Sequence, residues 1–268
     1  MMDVTQRKLE VWQIATRPEP DLYGVAAIVA TIPDTASAVV RFANSSYVGA
    51  VYPVGSVLDA VVRIGCRQVA AIAMASLDRD LVDGWGAPEL WEESLAVGRA
   101  AKVIGRIMGF SHREGEQLFV AGLFSCSGAA SLLQVDPGYL AWRSRQWSRG
   151  ITDEQLLHRE RMAFEIDHVT AAARLLDEWN LPTAIIEAVA LHHAPRTRFD
   201  LALWAGMTVL DAGSVARCHD APFAAALEEL GLAGHVVSVQ SEAHRYVDAF
   251  RLDEPLAQSS SRPALVTR

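Results

Sequence analysis

The stretch RFANSSYVGAVYPVGSVLDAVVRIGCRQV, residues 41–69, decides the fold. A helical pattern ends near Asn44-Ser45, and side chains of this kind can hydrogen-bond the last carbonyls of a helix or cap the next element. After Pro53, apolar residues recur at helical spacing over Ser56–Ile64, and Gly65 separates this helix from the next one. We therefore predict a junction between helices whose polar residues are structural; a contact surface is the alternative.

The rest of the chain continues the helical pattern. Apolar residues recur three and four positions apart, and no stretch alternates clearly between apolar and polar residues as a strand would. The sequence predicts an all-α protein, with a helical domain over residues 1–215, a C-terminal helical extension over 216–252 and a flexible tail over 253–268. The predicted helices are Val4–Ala15, Leu22–Ala30, Thr35–Ala43, Ser56–Ile64, Arg67–Leu81, Pro88–Met108, Glu114–Leu133, Asp153–Trp179, Leu181–His193, Leu201–Cys218, one beginning at Asp220, and Ser238–Phe250.

Composition and charge restrict the classes of function. The 268 residues are 51% hydrophobic and 21% charged, which suffices for a large core without disulfides or structural metals as staples. The net charge of −8 argues against a broad nucleic-acid-binding surface, and we expect Arg143, Arg145 and Arg149 to form a solvated face. The first fifteen residues lack the apolar core of a signal peptide. We expect a cytoplasmic protein with no membrane-spanning segment.

The three cysteines are interpreted as buried structural residues, and one aromatic segment is compatible with either a core or an interface. Cys66, Cys126 and Cys218 are far apart and form no CxxC pair, so we expect small buried side chains rather than a zinc or redox site. A nucleophilic Cys126 is the less favoured alternative, because no His or Asp lies near it in sequence. The segment Tyr139–Arg149 combines three large aromatic residues with three arginines, a composition found at protein–protein hot spots as well as in ordinary cores.

Several motifs resemble those of the HDOD family, a group of all-helical regulatory domains related to HD-type metal phosphohydrolases. The resemblance covers about residues 5–215 in the order that the family has, although the usual LPxLP opening is missing. It implies a multi-helix HD-like bundle. The segments that carry it are Leu90–Ile104, Phe119–Gly128, Ile166–His193 and the stretch quoted above, with Arg41, Ala43, Asn44, Ser45, Pro53, Gly65 and Val69 at the motif positions.

The residues at the HD metal positions do not suit a hydrolytic metal site. Such a site needs histidine and carboxylate ligands, because the metal lowers the pKa of a bound water and neutralises the phosphate. Where the HD pattern has its first His, this chain has Glu93; where it has His-Asp, the chain has Ser125-Cys126. Near the usual last Asp stands Thr208. The resemblance therefore implies a degenerate site, and we predict no catalytic residues and no cofactor.

Three histidines of the pattern remain, at His168, His192 and His193. Helical spacing places two of them toward a core seam, and the favoured interpretation is buried histidines hydrogen-bonded across helices, for example to Glu93, Asp167 or a backbone carbonyl. Glu93 lies on an apolar helix face and could pair with one of them. A rearranged cation site formed by Glu93 and the three histidines is the alternative, and a ligand-sensing or pH-sensing role is a third.

The resemblance implies a non-catalytic module of bacterial signal transduction that acts through protein–protein contacts. The expected partners are signalling proteins, with a homodimer as a further option, while nucleic acid and membrane are disfavoured. Two alternatives remain: a metal-dependent phosphohydrolase with a rearranged site, and a small-ligand sensor that uses the space left by the lost metal ligands.

Overall fold

A computed structural model describes residues 3–49, 51–84, 89–211, 228 and 230–251. Within these ranges every regular element is helical, so the all-α prediction is confirmed. The helices are α1 Val4–Ala15, α2 Leu22–Ala30, α3 Pro33–Asn44, α4 Val57–Ile64, α5 Cys66–Gly84, α6 Glu89–Ile107, α7 His112–Leu123, α8 Ser127–Val135, α9 Tyr139–Trp147, α10 Asp153–Phe164, α11 His168–Glu178, α12 Thr183–Ala190, α13 Arg198–Asp211 and, after a 3-10 turn at Ala233–His235, α14 Val236–Arg251.

Two long predicted helices are each broken into a pair. The prediction of one helix over Glu114–Leu133 was wrong, because a turn at residues 124–126 separates α7 from α8. Serine hydroxyls stabilise that turn: Ser125 donates to the carbonyl of Gly122 and Ser127 to that of Phe124, each at 2.7 Å. These polar contacts interrupt the helix although the apolar pattern continues across it.

The predicted helix Asp153–Trp179 was also wrong, since α10 ends before α11 begins. Glu165 adopts the left-handed conformation with φ 65°, which closes α10. Asp167 then caps α11 by accepting a hydrogen bond from the Thr170 amide at 2.8 Å. The break turns the start of α11 back toward α10, which matters for the site described below.

The segment Tyr139–Arg149 contains helix α9, which the sequence analysis did not predict. Tyr139 is completely buried, and its ring packs against Phe164 of α10 with centroids 5.4 Å apart. Trp142 also packs on Phe164, at 5.0 Å. The aromatic residues of this segment therefore contribute to packing between α9 and α10.

Close helix crossings hold the centre of the bundle together. Helix α6 packs against α7, α13 and α14, and α8 packs against α11. Glycine allows two of these contacts: a Cβ at Gly122 would lie 2.6 Å from the Gly98 Cα, and one at Gly128 would lie 1.8 Å from the His168 carbonyl oxygen. These distances leave no room for a side chain, so Gly122 sets the spacing of α6 and α7 and Gly128 that of α8 and α11.

Polar residues of the junction in residues 41–69 form local hydrogen bonds with the backbone. The Asn44 side chain bonds the backbone of Val54 twice, accepting from its amide at 2.8 Å and donating to its carbonyl at 2.9 Å. Ser45 ends α3 and donates to the Phe42 carbonyl at 2.7 Å, and Gly65 ends α4 with φ 80°. The Asn44 and Val54 bonds are solvent-exposed rather than buried. The remaining motif residues are Ala43 and Val69, which are buried, Arg41, which donates to the Ser37 hydroxyl, and Pro53, which is exposed.

The C-terminal helix α14 docks on the core. Its Glu242 pairs with Arg99 of α6 and accepts a hydrogen bond from Tyr47 at 3.0 Å. Its Tyr246 is buried, accepts from Gln68 at 2.8 Å and packs edge-on against neighbouring aromatic rings. The predicted domain boundary at residue 216, Cys218, the helix predicted from Asp220 and the tail from residue 253 lie outside the described residues.

One stretch, His112–Val135, has the length and hydropathy of a membrane span. It comprises α7, the serine-stabilised turn and α8, and 78% of its most apolar window is buried inside the fold. The core helices of folded domains pass the same test.

Candidate functional site

Three histidines meet at one point of the bundle. One ligand atom from each of His168, His192 and His193 lies within 4.8 Å of the other two. The break between α10 and α11 places His168 at the start of α11, and the turn after α12 carries the other two. His168 and His192 are buried, at 1% and 2% exposure, and the His193 side chain is 13% exposed. The cluster is therefore accessible on the His193 side.

Each histidine ring is held through its Nδ1 atom. His168 Nδ1 lies 2.7 Å from a carboxylate oxygen of Glu160, and His193 Nδ1 lies 2.8 Å from Asp153 Oδ2. His192 Nδ1 lies 2.7 Å from the backbone carbonyl of Val189. Since an acceptor lies beside each Nδ1 atom, Nε2 is the ring nitrogen that each histidine has left for another partner.

Burial dominates the electrostatics of the cluster. It holds the pKa of His168 and of His192 well below the ordinary histidine value, and the nearby Arg143 adds to that effect. Burial opposes ionisation of Asp153, but the hydrogen bond from His193, together with smaller electrostatic effects, outweighs it and lowers the pKa of Asp153. At neutral pH the two buried imidazoles are therefore uncharged, and Asp153 is a carboxylate.

The other residues that the resemblance places at HD metal positions do not join this cluster among the described residues. Ser125 is buried, and its hydroxyl donates a hydrogen bond to the Gly122 carbonyl. Burial, with the charge of Glu93 as the next cause, raises the pKa of the Cys126 thiol to about 12. A neutral thiol is a poor metal ligand and a poor nucleophile. Thr208 lies on α13, and its side chain lies outside the part of the chain that is described.

A second group of buried polar atoms lies near Cys126. Among the described residues, both carboxyl oxygens of Asp78 and the hydroxyl of Ser94 are buried without a hydrogen-bond partner. Burial raises the pKa of Asp78 well above its usual value; the Ser94 hydroxyl lies near enough to oppose that rise, although no hydrogen bond forms. Both residues influence the pKa of Cys126, so this polar group lies near that thiol.

The sequence analysis identified the histidines but not what holds them. His168 and His193 have hydrogen-bond partners on another helix, as expected, but these are Glu160 and Asp153, and His192 bonds a backbone carbonyl only three residues earlier. Asp167 instead caps α11 and pairs with Arg161. Glu93 is not a member of the three-histidine cluster in the described part of the chain.

Arg143 and Tyr139 were also missed as site residues. Arg143 was expected on a solvated face, yet it is half-buried and lies close enough to affect both buried histidines, whereas Arg145 and Arg149 are exposed. Tyr139 donates to Glu160 at 2.6 Å. No sequence signal marked these residues, because α9 itself was not predicted.

The cysteines that the structure describes follow the prediction. Cys66 and Cys126 are buried and unpaired with each other, and burial raises the pKa of both thiols. Both are thus small core side chains, as expected from their scattered positions.

Comparisons with solved structures support the fold. The chain is 24% identical to a "putative signal transduction protein" from Marinobacter aquaeolei VT8, with a TM-score of 0.69. That alignment covers 93% of this chain but only 57% of the other, so this chain spans little more than half of that protein. It is 16% identical to a "putative phosphohydrolase" from Shewanella amazonensis SB2B, with a TM-score of 0.68 and coverage of 91% and 92%. An HDOD domain protein of unknown function from Geobacter sulfurreducens is 20% identical, with a TM-score of 0.65 and coverage of 91% and 90%.

The family comparison extends over most of the chain. No curated protein matches the chain. The HDOD domain matches residues 3–195, which includes the junction in residues 41–69, Ser125, Cys126 and all three clustered histidines. The chain therefore belongs to the HDOD domain family.

Proposed function

We propose that this HDOD chain is a non-catalytic regulatory module of bacterial signal transduction that acts by binding a signalling protein. Membership of the family supports the signalling role. The observation that carries the absence of catalysis is the state of Ser125 and Cys126: one hydroxyl bonded to its own backbone and one buried neutral thiol. Neither side chain supplies the anionic or imidazole ligand that a hydrolytic metal requires at these positions.

The surface around α4 supports a protein partner. Val51 and Tyr52 in the loop before α4 are 83% and 76% exposed, and Val62 on α4 is 65% exposed. Helix α4 packs against α2, where Tyr23 is 73% exposed. The Asn44 bonds to Val54 hold the loop that presents these side chains. Exposed large apolar side chains on a fixed loop suit the apolar face of a partner protein.

A photo-crosslinking amino acid at Tyr52 tests this contact in cells of the source organism. We expect an adduct with a distinct signalling protein that disappears when Val62→Asp is added. The control is the same crosslinker at Val135, which is 65% exposed on α8. Equal adducts from both positions, or adducts that Val62→Asp leaves unchanged, would contradict the proposal; an adduct of twice the chain mass would identify the partner as a second copy.

The three-histidine cluster favours one competing function, a metal-dependent phosphohydrolase with a rearranged site. That enzyme would hydrolyse phosphate esters with added divalent metal and would lose this activity in His168→Ala. Hydrolysis equal to the background without protein would exclude it.

The buried polar group at Asp78 and Ser94 favours a second competing function, a small-ligand sensor. A thermal-shift screen with nucleotides at high excess tests it, because a ligand that binds the folded state raises the unfolding temperature. A shift that Ser94→Ala abolishes would support the sensor, and unchanged unfolding temperatures throughout would contradict it.

A further inference from the structure

We propose that His168, His192 and His193 form a three-nitrogen site for one Zn²⁺ ion, which links α10, α11 and α12 rather than hydrolysing a substrate. This goes beyond the proposed regulatory role and does not depend on it. The geometric basis is the convergence of three ligand atoms within 4.8 Å of one another.

The hydrogen bonds fix which nitrogen of each ring faces the centre. A backbone carbonyl can only accept, so the His192 Nδ1 atom, 2.7 Å from the Val189 carbonyl, must carry the proton. Glu160 accepts from the Tyr139 hydroxyl at 2.6 Å and from the His168 amide at 3.0 Å, which marks it as a carboxylate acceptor, so His168 donates to it through Nδ1–H. The same assignment holds for His193 beside Asp153. A neutral imidazole has one proton, so each Nε2 atom carries a lone pair.

The Nε2 atoms of His168 and His193 lie only 2.9 Å apart. Two lone pairs at that distance repel each other unless a proton or a metal ion lies between the rings. One extra proton between the Nε2 atoms of His168 and His193 removes that repulsion. It leaves the lone pair on Nε2 of the buried His192 without a partner. A metal ion can use all three, so metal and proton compete for the same atoms.

The surroundings of the rings match the outer shell of a metal site. Metal-binding histidines usually donate their other ring proton to a carboxylate or a backbone carbonyl, which orients the ring and makes the ligand more basic. Here Glu160, Asp153 and the Val189 carbonyl take these three positions. Glu160 is completely buried, and a cation on the far side of His168 stabilises a buried negative charge of this kind.

The ligand chemistry selects Zn²⁺ over Mg²⁺. Imidazole nitrogen suits zinc and neighbouring transition metals, whereas Mg²⁺ prefers carboxylate, carbonyl and water oxygens. Three histidines leave a fourth tetrahedral position for water. The ion would join the start of α11 to the turn after α12, and through the Asp153–His193 bond to the start of α10.

Arg143 is the charged group that opposes the ion. It lies near both buried histidines and disfavours positive charge there. This gives the proposal a variant with an effect in the opposite direction: Arg143→Met should tighten zinc binding, whereas damage to the fold would weaken it.

Calorimetric titration of the chelator-treated full chain with Zn²⁺ tests the site, with Mg²⁺ titrated in parallel. We expect one Zn²⁺ per chain and no Mg²⁺ saturation at the same concentrations. His193→Ala should abolish the Zn²⁺ binding. Asp153→Asn, which changes only the outer shell, should weaken it about 10- to 100-fold. His158→Ala is the matched control, because His158 is exposed on α10 and should leave binding unchanged.

A spectroscopic readout separates the site from adventitious binding to surface histidines. Co²⁺ in a nitrogen-rich tetrahedral site should give intense visible absorption in the wild type and the His158→Ala variant but not in His193→Ala. Circular dichroism of His193→Ala without metal should remain helical, since this side chain is the most exposed of the three. No saturable Zn²⁺ binding, or binding that both His193→Ala and Asp153→Asn leave unchanged, would overturn the proposal.

Discussion

Replacing Gly122 with alanine tests the helix crossing at the centre of the fold. The added Cβ would lie 2.6 Å from the Gly98 Cα, 2.7 Å from the Gly98 nitrogen and 2.9 Å from the Val97 carbonyl carbon. All three are backbone atoms, so α6 and α7 must move apart rather than one side chain rotating. Overpacking of this kind destabilises by about 1–3 kcal/mol, and the gain in helix propensity from Gly to Ala offsets at most about 1 kcal/mol. We expect a net loss of about 2 kcal/mol in the free energy of unfolding.

Gly115 on the same helix provides the matched control. A Cβ there would meet only Lys102 Cγ, at an ordinary contact distance of 3.8 Å. Gly115→Ala should therefore stabilise by about 0.5–1 kcal/mol through helix propensity alone. Urea unfolding followed by circular dichroism measures both variants. If Gly122→Ala is as stable as Gly115→Ala, the reasoning about the close crossing is wrong.

Three further changes test the site and the C-terminal helix. Gly128→Ala would place a Cβ 1.8 Å from the His168 carbonyl oxygen, so we expect a loss of about 3 kcal/mol in urea unfolding, and a wild-type midpoint would contradict the α8–α11 contact. Glu242→Gln should cost about 1–2 kcal/mol at pH 7, because it weakens the pair with Arg99. The pKa of Glu242 is lowered in the fold, although burial opposes this. The contribution of Glu242 to stability is therefore present above the unfolded pKa of about 4.3 and is lost as the pH falls through the folded pKa. A difference in stability between Glu242→Gln and wild type that stays constant down to pH 3 would contradict this. Burial raises the pKa of Asp78, so ionisation of this carboxyl destabilises the fold as the pH rises above about 3.9. Asp78→Asn should therefore gain stability relative to wild type between pH 4 and pH 7. A difference in stability that stays constant over this range would show that the carboxyl has a partner.

The sequence predicted the helices well where local signals coincide with the packing. Helices α1 and α2 have the predicted bounds, and each begins at an aspartate that accepts a bond from the backbone, Asp3 and Asp21. The breaks at residues 124–126 and at Glu165 were not visible, because the apolar spacing continues across them. There, hydroxyl-to-backbone bonds and one left-handed residue decide the local structure.

The candidate site was predictable only in part, for a similar reason. Helical spacing placed two of the three histidines toward a core seam, and the family resemblance identified Ser125 and Cys126 as substituted positions. The carboxylates that orient His168 and His193 come from α10, up to forty residues away in sequence, and no periodic pattern connects them to the histidines. The position of Arg143 near the site could be predicted only with α9, which was not predicted. The mixture of aromatic and charged residues in this helix obscures its apolar face in the sequence.

The central claim is that this HDOD chain regulates without hydrolysing, and one assay tests it most directly. The full chain would be incubated with bis(p-nitrophenyl) phosphate or a cyclic dinucleotide in the presence of Mg²⁺, Mn²⁺, Fe²⁺ or Zn²⁺, with the His168→Ala variant in parallel. The account predicts equal, background rates for both proteins with every metal. Metal-dependent turnover by the wild type that His168→Ala abolishes would contradict it.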